Sequence, residues 1–418
     1  MQKLIFCNLD LLKSIIEEND YEDYDFSGFD YNLLRSNRDK FIVAFNVLAN
    51  EAGNKIYFYS RKRDVLKRYE TEFKKHGYNK FQFKNRDVIQ NFVKSNKGKN
   101  NYFVFISSKN VDFTLAVNTK ALFIVPEWLP LQNKTERYGI HVQNVKQLQK
   151  FIQTLNNQNV WYSRLLIDDI SVAYSLVDAR YGVYAKNNEE RTMVLNFQKL
   201  LKNSESLNYR RILLYHFLAG ITGNMDFDDI ELFGVIPSSN CEVNKYVFDF
   251  MTQVRLLKGK KLPKNYSPEV LDVNRNLIIR HTEKEQNHNG GRNRQERINL
   301  GAKDEFKTLM INPDYKRRIK TLKENNKLNI CIFDDYMTHG NSFNAVRNLL
   351  ESIGANKIIF VSIGIFMNPF QKRDYTISGN VYGKNYDYVP FSYQMLNNYE
   401  INDNAKKEVA ELYEIFSS

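Results

Sequence analysis

Cysteine is scarce in this chain. Its three residues, Cys7, Cys241 and Cys331, are odd in number and far apart, which excludes a disulfide framework and a cysteine-built zinc site and suits a reducing compartment. His281 and His288 have no Cys or carboxylate at metal-ligand spacing, so zinc is not expected. Only 8 prolines and 18 glycines occur in 418 residues, and collagen-like or largely disordered readings fall away. Apolar runs such as Ile358 to Phe366 are far shorter than the ~20 residues of a bilayer-spanning helix. The start, Met1-Gln2-Lys3-Leu4-Ile5-Phe6, reads directly into a strand rather than a signal peptide. The strings Gly-x-x-x-x-Gly-Lys-Ser/Thr and Gly-x-Ser-x-Gly are missing, which removes the usual nucleotide triphosphatases and serine hydrolases. A cytoplasmic globular protein without a membrane partner is expected.

What is present is ample apolar and charged material, 43% and 26% of residues. At roughly 150 residues per domain the length suggests two or three domains. The Lys, Asn and Ile richness suits an AT-rich bacterial genome. The net charge of +12 favours anionic partners. Much of it is local, because residues 273–320 carry 12 Lys/Arg against 6 Asp/Glu.

The first 130 residues alternate β-rich runs (Lys3 to Leu9, Lys55 to Ser60, Lys80 to Lys84, Tyr102 to Ser107, Ala121 to Pro126) with amphipathic stretches such as Arg63 to His76. That alternation predicts an α/β fold with a mostly parallel sheet. From Gln147 to Ala219 the pattern reads as helical, with Leu148, Phe151, Ile152 and Leu155 on one face. A second α/β pattern follows: Glu231 to Ile236, Asn276 to Arg280, Asn329 to Phe333 and Lys357 to Ile363. The expected organisation is 1–146, a helical linker or hood over 147–228, and 229–418. The low-complexity stretch Gln286 to Arg294 reads as a mobile loop.

The most informative segment is Ile330-Cys331-Ile332-Phe333-Asp334-Asp335-Tyr336-Met337-Thr338-His339-Gly340-Asn341-Ser342. An apolar strand ends in two acids, a small polar loop follows, and a helix from about Asn344 to Ser352 is closed by Gly354. Backbone N–H groups and hydroxyls of Thr338 to Ser342 suit an anion at a helix N-terminus. Asp334 and Asp335 suit a ribose diol, so phosphate and diol together indicate a ribose 5-phosphate. Asp168-Asp169, after Leu165-Leu166-Ile167, lacks such a cradle and reads as a helix or strand end.

This string resembles the binding motif of type I phosphoribosyltransferases for 5-phosphoribosyl 1-pyrophosphate (PRPP), with His339 in place of the second Thr. Ser238, Ser239 and Asn240, after the strand ending at Ile236, fall where that family's pyrophosphate loop lies. Arg280, Thr282, Gln286, Arg294, Arg297 and Asn299 resemble the pattern of ComF-type, amidophosphoribosyltransferase-like proteins, whose catalytic flexible loop falls here. A solvated basic loop that binds nucleic acid is the alternative for 273–320. By the resemblance, PRPP contacts fall to Asp334, Asp335, Thr338, His339, Gly340, Asn341, Ser342, Ser238, Ser239, Asn240 and Arg280. Catalysis falls to Asp334, Asp335, Arg294 and Arg297, and Mg²⁺ is held mainly through PRPP oxygens and water. The Tyr-rich stretch from Asp374 to Tyr399 either stacks a base or, as its composition favours, packs a core.

The N-terminal unit resembles haloacid dehalogenase (HAD)-like domains. Asn8-Leu9-Asp10 follows the first strand, Ser60 the second, and Ser107-Ser108-Lys109-Asn110-Val111-Asp112 a later one. Asn8 stands where the family's nucleophilic carboxylate belongs, and Ser108 replaces an acid. The site Asn8, Asp10, Ser60, Asp112 is therefore expected to be degenerate, binding a ligand or serving structure. Together the resemblances imply two Rossmann-like parallel-sheet domains joined by a helical segment. The implied activity is Mg²⁺-dependent transfer of ribose 5-phosphate from PRPP to a small-molecule or nucleotide acceptor. The alternative is a non-catalytic PRPP- or nucleotide-sensing module that engages nucleic acid. An oligomer is compatible with either.

Overall fold

The computed structural model describes residues 2–21, 24–51, 53–155, 161–180, 207–259, 275–284 and 302–416, together with 191, 192, 195, 196, 199 and 200. The fold is α/β. Its first sheet holds β1 (Gln2–Asn8), β2 (Asn54–Ser60), β3 (Gln82–Asn85), β4 (Asn101–Ile106), β5 (Leu122–Pro126) and β6 (Ile140–Val142). All neighbours are parallel, in the order β3-β2-β1-β4-β5-β6. Leu4, Ile5, Phe6 and Cys7 are buried on both faces of β1, the continuous apolar pattern of a strand covered on each side. The crossover helix Arg63–Lys75 buries Leu66 and Phe73, and Arg86–Asn96 buries Ile89 and Val93, one stripe each. The chain leaves β1 toward β2 and leaves β4 toward β5, so a crevice opens where these two connections part.

The second sheet is mixed. It comprises β7 (Ser163–Leu166), β8 (Ser171–Asp178), β9 (Leu232–Val235), β12 (Asn329–Met337), β13 (Lys357–Ile365) and β16 (Glu400–Ile401), ordered β16-β7-β8-β13-β12-β9. Strands β8, β13, β12 and β9 run parallel, and β7 and β16 join antiparallel at one edge. Two antiparallel pairs stand apart, β10 (Ile278–Arg280) with β11 (Leu309–Ile311), and β14 (Phe370–Gly379) with β15 (Tyr386–Leu396).

The expected helical linker over 147–228 is corrected here, because β7 and β8 lie inside it. Ser171–Asp178 is buried along nearly its whole length, and such a strand lacks the two-residue alternation that marks a half-exposed one. Asp168 caps the β7–β8 turn, accepting from the Ile170 N–H at 3.2 Å, which agrees with its reading as a strand end. The Arg347 guanidinium, 2% exposed, then fixes that carboxylate at 2.9 Å.

The helix Leu207–Gly223 is not a hood. Every side chain from Ile212 to Ala219 is buried, and the helix packs on β4 and β5 of one sheet and on β8 of the other. A helix that is apolar all round belongs inside a core. The apolar cluster runs unbroken from Ile5 and Phe58 through Phe217 to Phe333 and Val361. Trp161 stacks on Phe217 at 4.8 Å between ring centroids. Among the described residues no helix is long and apolar enough to cross a membrane.

Candidate functional site

Strand β12 outruns one neighbour. Its pairing with β9 stops at Phe333–Val235, whereas its pairing with β13 continues to Met337–Ile365. The acid pair therefore lies within the strand, not after it as expected from the sequence, because β13 holds the chain extended for four more residues. From Asp334 onward no strand among the described residues lies on the β9 side of β12, and the chain after Ile236 turns away there. Burial pushes the Asp334 carboxyl well above the usual carboxylate range, and the charges of Asp335 and Glu305 push it further.

Two loops flank this notch. In the first, Cys241 donates its N–H to Ser238 O at 3.1 Å and takes a left-handed backbone, φ 66°. Ser238 and Asn240 are exposed and Ser239 is half-buried. In the second, Gly340 caps the helix Asn341–Ser352 with φ 71°. A Cβ at Gly340 would lie 2.1 Å from the Phe370 ring, so only glycine lets the loop sit this close to β14. Thr338 is exposed, His339 is half-buried, and His339 O accepts from the Gln371 N–H at 2.9 Å. The Asn341 side-chain oxygen is buried with no hydrogen-bond partner, an unusual condition that marks a place for a ligand or water.

Sequence reasoning missed the residue that joins these parts. Glu305, 2% exposed, accepts from Lys284 Nζ at 2.6 Å and Ser342 Oγ at 2.8 Å through Oε1, and from Arg280 at 2.8 Å through Oε2. Burial works to raise its pKa, but the Lys284 and Arg280 charges hold the carboxyl at about 2. No motif announces Glu305, since an acid in a short amphipathic segment looks like surface. Arg280 is a correction to the expected PRPP contacts. It is 4% exposed and spends its donors on Ser238 O at 2.9 Å, Pro237 O at 3.2 Å, Thr308 and Glu305. A guanidinium so engaged positions the first loop and does not face a phosphate. Arg294, Arg297 and the stretch Gln286 to Arg294 lie outside the described residues. Only part of the Tyr-rich stretch packs: Tyr375 and Tyr388 sit 4.8 and 4.9 Å from Phe306, and Tyr386 donates to Phe306 O, whereas Val389, Phe391, Tyr393 and Met395 are exposed.

The N-terminal candidates meet at the crevice between β1 and β4. Asn8 donates to Asp112 at 2.7 Å and also caps the Asp10 N–H at 2.8 Å. Asp112 further accepts from Ser107 and Arg86, each at 2.7 Å. Asp10 is ion-paired with Lys109 at 2.6 Å and Lys13 at 2.9 Å. Ser108 shares a hydrogen bond with Tyr21 at 3.0 Å. Ser60 lies at the carboxyl end of β2, lining the same space. This donor set does not fit a divalent cation, because ammonium and guanidinium groups already balance both carboxylates. Arg86 and Lys13 were not read as site residues; Arg86 opens the helix after β3, at the edge where α/β sheets gather ligand groups.

Comparison of the chain with protein-family models, curated proteins and solved structures finds no match.

Proposed function

We propose that the carboxyl edge of the second sheet binds PRPP, and that the protein is a Mg²⁺-dependent phosphoribosyltransferase passing ribose 5-phosphate to an acceptor with release of pyrophosphate. One observation carries the reading. Loops 237–241 and 338–342 stand beside the acid pair at the ends of two adjacent parallel strands, so one ligand bearing a phosphate, a diol and a pyrophosphate meets all three. On this reading the N–H groups of 338–342 hold the 5-phosphate at the start of the helix Asn341–Ser352. Asp334 and Asp335 take the ribose hydroxyls and offset the positive charge that develops on the ring as the C1–oxygen bond breaks. The acceptor forms the new bond at C1, and Asp335 is assigned to take its proton. Ser238, Ser239 and Asn240 meet the pyrophosphate, whose charge is assigned to Arg294 and Arg297, both outside the described residues.

The residues present fit Mg²⁺ held chiefly through substrate. Mg²⁺ is a cation that binds one or two carboxylates plus phosphate oxygens. Asp334 and Asp335 form the acid pair nearest such a cation, which when bound neutralises the leaving pyrophosphate. We also read the chain as two Rossmann-like units, one on each six-stranded sheet, with β7 and β8 in the second and the buried helix shared between them.

The test is calorimetric titration of PRPP with Mg²⁺ into the wild type and an Asp334→Asn/Asp335→Asn variant. Binding by the wild type and at least tenfold weaker binding by the variant is expected. Equal affinity, or no binding by either, sinks the proposal. A second reading has its own support: the helix Lys316–Glu324 exposes Lys316, Arg317, Arg318, Lys320 and Lys323. Salt-sensitive binding of single-stranded RNA without PRPP binding would favour a nucleic-acid module.

A further inference from the structure

The crevice between β1 and β4 opens into a cavity of about 450 Å³, within the range that holds a small organic ligand. Its lining is charged but unbalanced. Lys13, Arg61, Lys62, Arg68, Arg86 and Lys109 face four carboxylates, Asp10, Glu17, Asp20 and Asp112. The innermost charges cancel, because Lys13, Lys109 and Arg86 are matched by three carboxylates: Lys13 pairs with Asp10 and Asp20, Lys109 with Asp10, and Arg86 with Asp112. The surplus lies at the mouth. Lys62, itself exposed, reaches only at 3.6 Å an Asp20 that Lys13 already holds, and Arg61 reaches Asp87 only at 3.8 Å with both side chains exposed, where such pairs are weak. Arg68 is exposed on the same side and makes no ion pair among the described residues. Ile15, 59% exposed, and the half-buried Val65 and Tyr69 provide an apolar wall beside these cations.

We infer that this cavity is a binding site for a phosphate-bearing small molecule, held by the protein's own cations without a metal ion and left unhydrolysed. The physical reason is local charge. A divalent cation would have to displace Lys109, Lys13 and Arg86 from carboxylates they already neutralise, whereas an anion at the mouth gains three cations that have little else to meet. Hydrolysis lacks its nucleophile, because Asn8 offers an amide whose N–H is committed to Asp112 and whose oxygen caps Asp10. The phosphate end of the ligand belongs among Arg61, Lys62 and Arg68, and its organic part belongs against Val65 and Tyr69. This site is separate from the PRPP reading and does not rest on it.

The probe is inorganic phosphate, followed by pyrophosphate, titrated calorimetrically into the full chain in excess EDTA. Saturable binding is expected in EDTA, unchanged on adding Mg²⁺. It should weaken at least tenfold in Arg68→Glu, an exposed substitution that leaves the buried pairs alone, and in Arg61→Glu/Lys62→Glu. A Thr338→Glu variant, which blocks the other sheet's loop, should lose any binding there and keep the metal-independent binding that the charge reversals weaken. Phosphate that binds only with Mg²⁺, that ignores the charge reversals, or that is lost in Thr338→Glu overturns the inference. So does an absence of saturable binding in the wild type. Release of phosphate from a generic monoester by the wild type would overturn the unhydrolysed part.

Discussion

At the scale of single residues, Glu305 makes the clearest demand. Its carboxyl is held at about 2, against 4.5 for a free glutamate, while nearly inaccessible to water. A carboxyl whose pKa is depressed in the fold adds stability that is complete above the unfolded value and is lost as pH falls. That contribution should therefore fade between pH 4.5 and about 2. Glu305→Gln leaves Arg280 and Lys284 without their counter-charge, and breaking a buried pair this way costs about 3 kcal/mol. Denaturant titration should find that deficit at pH 6 and find it much reduced near pH 2; a deficit independent of pH would mean the carboxylate charge is not what matters. The sequence could name Asp334, Asp335 and Asn8, because their meaning lies in the strand that precedes them. It could not name Glu305 or demote Arg280, because their roles depend on a meeting between 280 and 305 that no local pattern encodes.

At the scale of elements, β12 and the helix after it were legible because each signal agreed with the next. Apolar residues ran up to an acid pair, small residues followed, and an amphipathic helix closed on Gly354. What escaped was the length of β12, fixed by β13 rather than by its own residues, and the strands β7 and β8, whose buried runs carry no alternation. The Gly340 turn is where this element is most exposed to substitution. Gly340→Ala must adopt a left-handed backbone and drive a methyl into Phe370. Together these lower stability by about 2–4 kcal/mol and loosen the loop. Adding Phe370→Ala to the Gly340→Ala chain should return the steric share of the lost loop order, but not the backbone share. Thermal denaturation of Gly340→Ala, Phe370→Ala and the double variant separates the two, the Phe370→Ala chain giving the cost of truncating that buried ring. A Gly340→Ala protein as stable as wild type would mean that the loop relaxes freely, and that its close approach to β14 is not required.

At the scale of the whole molecule, composition and pattern correctly indicated two sheets of α/β type, but they cut the chain at the wrong place. The segment read as a connector supplies two strands to the second sheet and a helix to the middle of the core. Phe217 on that helix is 5.7 Å from Phe333 of β12, and Tyr102 of β4 donates to Ala219 O at 2.7 Å. Sheets that share one helix so thoroughly should unfold together. Scanning calorimetry is expected to give a single transition whose calorimetric and van't Hoff enthalpies agree. Two resolved transitions would mean that the shared helix belongs to one sheet only.

The Lys284–Glu305 ion pair has a further consequence for how this protein can change over time. It holds Lys284 to Glu305 at 2.6 Å, so the described chain before and after 285–301 meets at one fixed base. Closing a longer loop adds only about 0.6 kcal/mol for each doubling of its length. Insertions and deletions in that stretch are therefore nearly invisible to the fold, so whatever holds its sequence over time is the work of Arg294 and Arg297 and not the stability of the two sheets.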